Sequence, residues 1–137
     1  MSVSVDTSAW FAAINRKDQN HHRAAEIFSR EKDLVTSDYV LVETWLLIKN
    51  RVGFKTAPTF WSAIKGGLAR LEKVTDTDLQ RAWTVGEDFS DQSFSLVDLS
   101  CFVMVERLRL TRVISFDTDF VIYRYGQHKD RAFEVLR

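Results

Sequence analysis

The sequence predicts an α/β fold, a three-layer arrangement in which a central, mostly parallel sheet of four to five short strands is flanked by helices. Short apolar runs alternate along the chain with longer helical patterns. Capping and turn residues separate these segments. Two of the helical segments are apolar on nearly every side, as expected for helices that cover a parallel sheet.

The first half of the chain predicts two strand–helix units. The first strand ends at Asp6, and Thr7 and Ser8 are suited to cap the helix that follows. Ser37 follows the second strand and is a natural cap for a long apolar helix that Gly53 terminates. The predicted elements are a strand at 3–5, helices at 9–14 and 21–32, a strand at 33–36 and a helix at 38–52.

The second half continues this alternation. Pro58 lies near the first turn of a helix that Gly66 and Gly67 stop. Ser95 and Asp98 have the spacing of a capping box at the head of a second long apolar helix. The predicted elements are helices at 54–65, 75–85 and 96–110, and strands at 68–74, 112–116 and 133–136.

Size and composition predict one domain over residues 1–137. With 45% hydrophobic and 12% aromatic residues, the chain has material for a single core. The 19 basic and 19 acidic residues give zero net charge, so binding to nucleic acid requires a local patch. Cys101 is the only cysteine, which excludes an intramolecular disulfide. Without a signal-peptide pattern or a run that could span a bilayer, we expect a soluble cytoplasmic protein.

Five acids stand at positions that need an explanation. Asp6 and Asp117 each follow a predicted strand, and Asp119 comes two residues later. Glu43 and Asp98 lie in the early turns of two helices, each within a ten-residue window that contains eight apolar residues. An unpaired buried carboxylate is costly, so each needs a cation, hydrogen-bond donors or a proton. In a parallel sheet, these positions face one edge.

Each acid taken alone has a simpler explanation. Asp98 completes a helix cap, and Glu43 pairs with a core Arg or His. Asp6 is a turn residue at a strand end, and Asp117 and Asp119 are loop acids or caps. Taken together, however, converging carboxylates repel one another unless divalent cations neutralise them. The combined placement therefore favours a metal site.

The ligand types indicate which metal. Oxygen ligands without a Cys/His set favour Mg²⁺ or Mn²⁺ over zinc, and we interpret His21, His22 and His128 as surface residues. Such a site suits phosphoryl chemistry, in which a metal activates water and helix N-termini bind phosphate. The hydroxyls that could orient metal waters or a carboxylate, with helix or strand-end capping as the alternative, are those of Thr7, Ser8 and Ser115.

Four short motifs carry a family resemblance. They are VDTS at 5–8, LVE at 41–43, SLVD at 95–98 and ISFDTDF at 114–120. Their order and spacing resemble those of a PIN-domain ribonuclease, and the short chain resembles the VapC-type toxins of toxin–antitoxin pairs. The resemblance implies a PIN-like fold, Mg²⁺- or Mn²⁺-dependent endoribonuclease activity, a homodimer and inhibition by a small cognate antitoxin.

The resemblance also implies roles for individual residues. The catalytic quartet is Asp6, Glu43, Asp98 and Asp117, all of them metal ligands, with Asp6 and Asp98 as the most direct ones. Asp119 matches a site that is acidic in only some relatives. Ser8 matches a small polar position after the first acid, and Ser115 stands where many relatives have Thr, which keeps the hydroxyl.

The residues that bind RNA are not identified by the sequence. A candidate patch combines four cations with three aromatic residues, although such charges are commonly solvated and such aromatics commonly belong to a core or a dimer interface. Trp10 and Phe11 are interpreted as core or as a pocket for a partner's helix. The patch consists of Lys49, Arg51, Lys55, Lys65, Phe54, Phe60 and Trp61.

Other functions fit less well or stay open. A phosphorylated receiver-like domain would have an acidic pair after the first strand, and a dehalogenase-like phosphatase would have Asp where Ser8 stands. Two alternatives stay open: an RNA-processing nuclease outside a toxin–antitoxin system, and a non-catalytic partner-binding protein with the same fold.

Overall fold

A computed structural model describes residues 1–137, and a five-stranded sheet forms its centre. The strands are β1 (Val3–Val5), β2 (Leu34–Ser37), β3 (Arg70–Glu72), β4 (Arg112–Ile114) and β5 (Glu134–Leu136). Their order is β3-β2-β1-β4-β5, and every neighbouring pair is parallel. The predicted α/β fold is therefore confirmed, and the sheet has five of the four to five strands that were predicted.

Seven α-helices connect and flank the strands. They are α1 (Thr7–Ile14), α2 (His21–Arg30), α3 (Asp38–Arg51), α4 (Thr56–Ala63), α5 (Asp76–Asp88), α6 (Leu96–Arg107) and α7 (Asp119–Ile122). None of them combines the length and the apolar character that crossing a membrane requires.

The central strand β1 sets the position of the first acid. All three of its residues are buried, as expected for a parallel strand covered on both faces. Beyond Val5, the backbone N–H of Asp6 still donates to the carbonyl of Ile114 at 3.0 Å. Hydrogen bonding between β1 and β4 therefore continues up to Asp6 and fixes this residue at the carboxyl edge of the sheet.

Helix α6 is buried as predicted. Its residues from Ser100 to Val105 are all buried. Phe102 has no exposed surface, stacks on Tyr123 with ring centroids 4.2 Å apart and meets Phe120 edge-on at 4.9 Å. Through these aromatic contacts, α6 packs against α7 and the segment after β4 packs against the core.

Helix α3 differs from its prediction. The sequence predicts a helix buried on nearly every side, but Val42 and Leu46 are 59% and 48% exposed. Only a stripe at every fourth residue, Val40, Thr44 and Ile48, is buried. Leu41, Trp45 and Leu47 are partly buried and also pack against the core, whereas Val42 and Leu46 leave an apolar strip uncovered. The prediction that α3 is a buried helix is wrong.

Some predicted boundaries shift. Helix α1 begins at Thr7, two residues earlier than predicted, so Asp6 occupies its N-cap position. Helix α4 does not stop before the glycine pair, because a π-helical turn, Ile64–Leu68, continues it. Gly67 ends that turn with a φ of 103°, a conformation that favours glycine, and β3 is correspondingly shorter than predicted.

An ion pair ties the start of α5 to the end of α6. Arg107 donates from Nε to Oδ1 of Asp78 and from a terminal nitrogen to Oδ2, both at 2.9 Å. Asp78 is fully buried and also accepts a bond from the backbone N–H of Thr75 at 3.0 Å. Burial acts to raise the pKa of Asp78, but the bonds from Arg107 and Thr75 outweigh it and hold this pKa below its ordinary value. The charged form therefore stabilises the fold.

Replacing Asp78 with alanine should lower the free energy of unfolding at pH 7 by about 2 to 4 kcal/mol, because a helix cap is lost and Arg107 loses its partner. A lowered pKa stabilises the fold above the ordinary Asp pKa, and this contribution is lost as the pH falls through the folded-state value. The difference from wild type should therefore shrink at about pH 3, as urea unfolding can measure.

The matched control is Arg70→Ala, which removes an exposed ion pair with Glu72. It should change the free energy of unfolding by less than about 1 kcal/mol. Equal losses in the two variants at pH 7 would contradict a structural role for Asp78.

Candidate active site

Asp6 is the centre of the site. Its side chain is only 3% exposed, and its Oδ2 accepts hydrogen bonds from the hydroxyls of Ser8 at 3.0 Å and Ser115 at 2.9 Å. The two hydroxyls in turn accept backbone N–H groups, Ser8 from Phe116 at 2.9 Å and Ser115 from Asp117 at 3.2 Å. This network joins the end of β1 to the end of β4 and fixes the orientation of the Asp6 carboxylate.

Asp98 lies in the first turn of α6 and forms the predicted capping box. The backbone N–H of Ser95 donates to Asp98 Oδ2 at 2.9 Å, and the N–H of Asp98 donates to Ser95 Oγ at 3.1 Å. The cap uses only Oδ2, so Oδ1 remains available. The capping role and a ligand role are therefore compatible for this residue.

The other acids lie around Asp6 and Asp98. Glu43 is half-buried on α3, Asp117 is exposed just after β4, and Asp119 is half-buried at the first residue of α7. Partial burial, then the charges of Asp6, Asp119 and Asp98, and a hydrogen bond shared with Asp6 raise the pKa of Asp117 to about 7. These acids therefore lie close enough for their charges to interact, although no three of them surround one ion position.

Burial and neighbouring negative charges also raise the pKa values of the other acids. Burial, then the charge of Asp98 and a hydrogen bond shared with it, raise the pKa of Asp119 to about 6. Burial and the charges of Asp6 and Asp98 raise the pKa of Glu43, while the Thr7 hydroxyl acts in the opposite direction. Burial also raises the pKa of Asp6 despite its two serine bonds. The folded chain thus brings together carboxylates whose negative charges oppose one another.

No basic side chain neutralises these carboxylates. None of the five acids takes part in any of the chain's ion pairs. The side chains as they stand also do not group three donors around one ion position, so ligation needs rotations of the exposed carboxylates. The donor chemistry fits a hard divalent cation, because every member offers oxygen.

Cys101 lies beneath the acids but does not alter this conclusion. It is buried, and burial together with the charges of Asp6 and Asp98 keeps the pKa of its thiol well above the ordinary value. Hard divalent cations prefer oxygen to sulfur ligands, so the carboxylates remain the donors that fit such an ion. Among the predicted hydroxyls, Ser8 and Ser115 bind Asp6 directly. The buried Thr7 hydroxyl has no hydrogen bond of good geometry, although it lies close enough to favour the charged form of Glu43.

A cavity of about 660 Å³ adjoins the acids and contains residues that the sequence analysis missed. Of the predicted cation patch, only Arg51 lines it, whereas Lys49 and Lys65 lie over the rings of Trp45 and Trp61. The spacing of Asn50 from Glu43 could have placed both on one helix face. The lining residues are Thr7, Ser8, Phe11, Asp18, Gln19, Asn20, Glu43, Leu46, Leu47, Asn50, Arg51, Phe116 and Asp117.

A parallel α/β sheet with unneutralised carboxylates at its carboxyl edge is an arrangement that metal-dependent phosphodiester hydrolases use. Comparison with known families identifies the particular family. Residues 3–125 match the PIN domain, so the chain belongs to the PIN-domain family.

Relatives with known names agree with this assignment. The chain is 30% identical over 119 residues to the 23S rRNA-specific endonuclease VapC20 of Mycobacterium tuberculosis, covering 86% of this chain and 91% of that protein. It is 25% identical over 114 residues to Ribonuclease VapC26 of the same organism, covering 82% and 84%.

Solved structures agree as well. The crystal structure of VapC20, described as a Sarcin-Ricin loop cleaving toxin, matches with a TM-score of 0.82 at 30% identity, over 87% of this chain and 92% of that one. A toxin–antitoxin complex from Klebsiella pneumoniae matches with a TM-score of 0.65 at 14% identity, over 88% and 91%, which shows the fold alone.

These comparisons confirm the predicted family and enzyme class, a PIN-domain endoribonuclease of the VapC type. Nucleases of this family depend in general on divalent metal ions. The roles of the individual residues stay predictions.

Without divalent cations, the melting temperature should fall as the pH rises from about 4 to about 7. Asp117 and Asp119 keep their protons in the folded state up to about pH 7 and about pH 6, whereas unfolded Asp ionises near pH 4. A raised folded-state pKa stabilises the fold below the unfolded value, and this stabilisation is lost as the pH rises through the folded value. Circular dichroism melts in a chelator test this expectation.

The double variant with Asp117→Asn and Asp119→Asn should show a flatter pH dependence over this range. The control double variant, Asp91→Asn with Asp130→Asn, replaces two exposed acids outside the site and should behave like wild type. An equally steep fall in the site variant would show that these acids are not responsible.

Proposed function

We propose that residues 1–137 form a single nuclease domain, the toxin of a toxin–antitoxin pair, which hydrolyses RNA phosphodiesters with a divalent cation held by the acidic quartet. The observation that carries this proposal is the group of carboxylates at the sheet edge that no basic residue neutralises. The quartet consists of Asp6, Glu43, Asp98 and Asp117, with Asp119 as a further acid beside it.

The chain's own residues prepare the site. Ser8 and Ser115 hold the Asp6 carboxylate in one orientation, and Asp98 presents its free Oδ1 from the start of α6. Glu43 on α3 and Asp117 in the segment after β4 both line the cavity beside this pair. When bound by these acids, a divalent cation would activate a water and would stabilise negative charge on the departing oxygen. Oxygen-only donors favour Mg²⁺ or Mn²⁺ as this ion.

RNA is the substrate class that the relatives support. VapC20 is named as a 23S rRNA-specific endonuclease and as a toxin that cleaves the Sarcin-Ricin loop. Ribosomal RNA is therefore the first substrate to test with this chain, alongside unrelated structured RNA. A chain outside any toxin–antitoxin system would differ in lacking an antitoxin gene beside its own.

Replacing Asp6 with asparagine should reduce RNA cleavage by more than about a hundredfold, because the variant loses a charged metal ligand that the serines hold in place. Cleavage of total RNA and of ribosomal RNA with Mg²⁺ or Mn²⁺ measures this loss. Asp91→Asn, at an exposed loop position, is the matched control and should cut like wild type.

Calorimetry with Mn²⁺ separates a loss of metal from a loss of fold. Wild-type protein should bind the ion, and the Asp6→Asn variant should bind it more weakly while still unfolding in one cooperative thermal transition. Persistent cleavage by the variant would refute the proposed mechanism, and a wild-type protein that neither binds metal nor cuts RNA would be a non-catalytic binding protein.

An apolar groove beside Trp10 is where we expect the antitoxin to bind. The indole stacks on Phe28 at 5.3 Å and meets Phe60 edge-on at 5.6 Å, and these rings line a cavity of about 540 Å³. Nine of its 13 lining residues are hydrophobic. The apolar face of a short amphipathic helix suits such a groove, which agrees with the interpretation of Trp10 as part of a partner's pocket.

A second apolar surface, the α3–α4 face, is where we expect a second copy of the chain. It surrounds a cavity of about 330 Å³ lined by apolar residues alone, and Trp61 at its rim is 49% exposed. Apolar side chains concentrated on one exposed surface indicate an interface. The residues of this face are Leu41, Val42, Trp45, Leu46 and Trp61.

Replacing Trp61 with glutamate should convert a dimer into a monomer, because a charge buried within an apolar interface is desolvated without a partner. Light scattering after size-exclusion chromatography measures the mass. Leu71→Glu, an exposed apolar residue of β3 outside the α3–α4 face, is the control and should leave the mass unchanged. A wild-type monomer, or a Trp61→Glu dimer, would refute this interface.

A further inference from the structure

The cavity beside the acids, defined above by its lining residues, has one wall from the loop after α1 and another from the second half of α3. Asp18, Gln19 and Asn20 form the first wall, and Asn50 and Arg51 belong to the second. Glu43 and Asp117 of the proposed quartet also line it. Whatever occupies this cavity therefore lies next to the proposed cleavage site.

The polar groups of the cavity have unused hydrogen-bonding capacity. The side-chain amides of Gln19, Asn20 and Asn50 make no hydrogen bond within the chain, and Arg51 forms no ion pair. Each amide offers both donors and an acceptor. This combination matches the edge of a nucleobase, which also presents donors and acceptors side by side.

The wall formed by the loop is held in place before any ligand binds. Asp18 accepts the N–H of Asn20 through Oδ1 at 2.8 Å, and its carbonyl accepts the N–H of His21 at 3.0 Å. The ring of His21 is also in hydrogen-bond contact with the carbonyl of Ala12 at 2.8 Å, which ties the start of α2 back to α1. A wall that is already ordered loses little entropy when a ligand binds.

The remaining lining suits a flat ring and a backbone phosphate. Phe116 is half-buried and Phe11 is buried, so both contribute apolar surface, while Arg51 contributes a charge. Single-stranded RNA is recognised by unstacked bases that lie against such surfaces and pair with side chains through their edges. The volume also lies within the ordinary range of ligand pockets, roughly 300 to 1,000 Å³.

We propose that this cavity binds one unstacked nucleobase of the RNA, at a nucleotide adjoining the cut, and that Gln19 and Asn50 read its edge while Arg51 contacts a neighbouring phosphate. This inference rests on the proposed ribonuclease function and adds a specificity site to it. The acids then act on whichever phosphodiester the bound base brings to them. The preference for one base beside the cut therefore depends on the side-chain amides of Gln19 and Asn50 rather than on the acids.

The first experiment reads sequence preference directly. A pool of RNA hairpins with randomised loops is cut by wild type, Asn50→Ala and Gln19→Ala, and the ends are sequenced. Wild type should prefer one base at a fixed position beside the cut, and each variant should lower this preference by about tenfold, the value of a lost base-edge contact. Gln127→Ala, an exposed amide outside the cavity, is the matched control and should keep the preference.

A wild type without any base preference, or variants that keep it in full, would overturn the proposal. Asn50 and Gln19 are exposed, so their truncation should leave the melting temperature unchanged. If wild type cuts no RNA at all, the proposed function fails, and the second experiment still decides whether the cavity binds nucleotides.

The second experiment measures binding without catalysis. The four nucleoside monophosphates are titrated separately into the full chain, and the side-chain amide signals are followed by NMR. At least one nucleotide should shift the signals of Gln19, Asn20 or Asn50 and leave that of Gln127 unchanged. Shifts that are absent at millimolar nucleotide, or equal at Gln127, would overturn the proposal.

Discussion

The site depends on one constraint, the burial of the Asp6 carboxylate among other negative charges. Burial and Asp98 raise its pKa, whereas Ser115 and Ser8 lower it by donating to the same oxygen. Ser8 lies only two residues after Asp6, whereas Ser115 lies at the end of β4, so the Ser115 bond exists only while the two strands are paired. The pairing of β1 with β4 and the position of Asp6 therefore depend on each other.

The parallel sheet explains why the acids meet at all. Because β1 is the middle strand and all strands run the same way, residues that follow β1 and β4 emerge side by side. Helix α6 adds Asp98 in its first turn, where the helix dipole favours a negative charge. Asp98 both caps the helix and lies at the sheet edge. The capping-box pattern that starts α6 therefore also places a carboxylate at the site.

Local rules therefore made part of the site predictable. Asp6, Asp98 and Asp117 are placed by a strand end or a helix cap only a few residues away, and their charges interact in the folded chain, although they do not surround one ion position. The cavity could not be predicted from local sequence patterns. The loop containing Gln19 and the helix containing Asn50 are distant in sequence and meet only through tertiary packing. Residues 15–20 lie between the helices predicted at 9–14 and 21–32, but no sequence pattern indicates that this segment contacts α3.

Helix α3 shows why a uniformly apolar pattern was misleading. The identity of an apolar residue does not show whether it is buried in the core, lines a cavity or forms an exposed face. Periodicity cannot distinguish these three environments when adjacent stripes of the helix are all apolar. Each stripe of α3 repeats every three or four residues and points in its own direction. The core stripe is Val40, Thr44 and Ile48, the cavity stripe is Glu43, Leu47 and Asn50, and the exposed stripe is Val42 and Leu46. Because the cavity stripe lies beside the exposed stripe, and Leu46 also lines the cavity, a partner that covered the exposed stripe would lie at the edge of the cavity that contains Glu43.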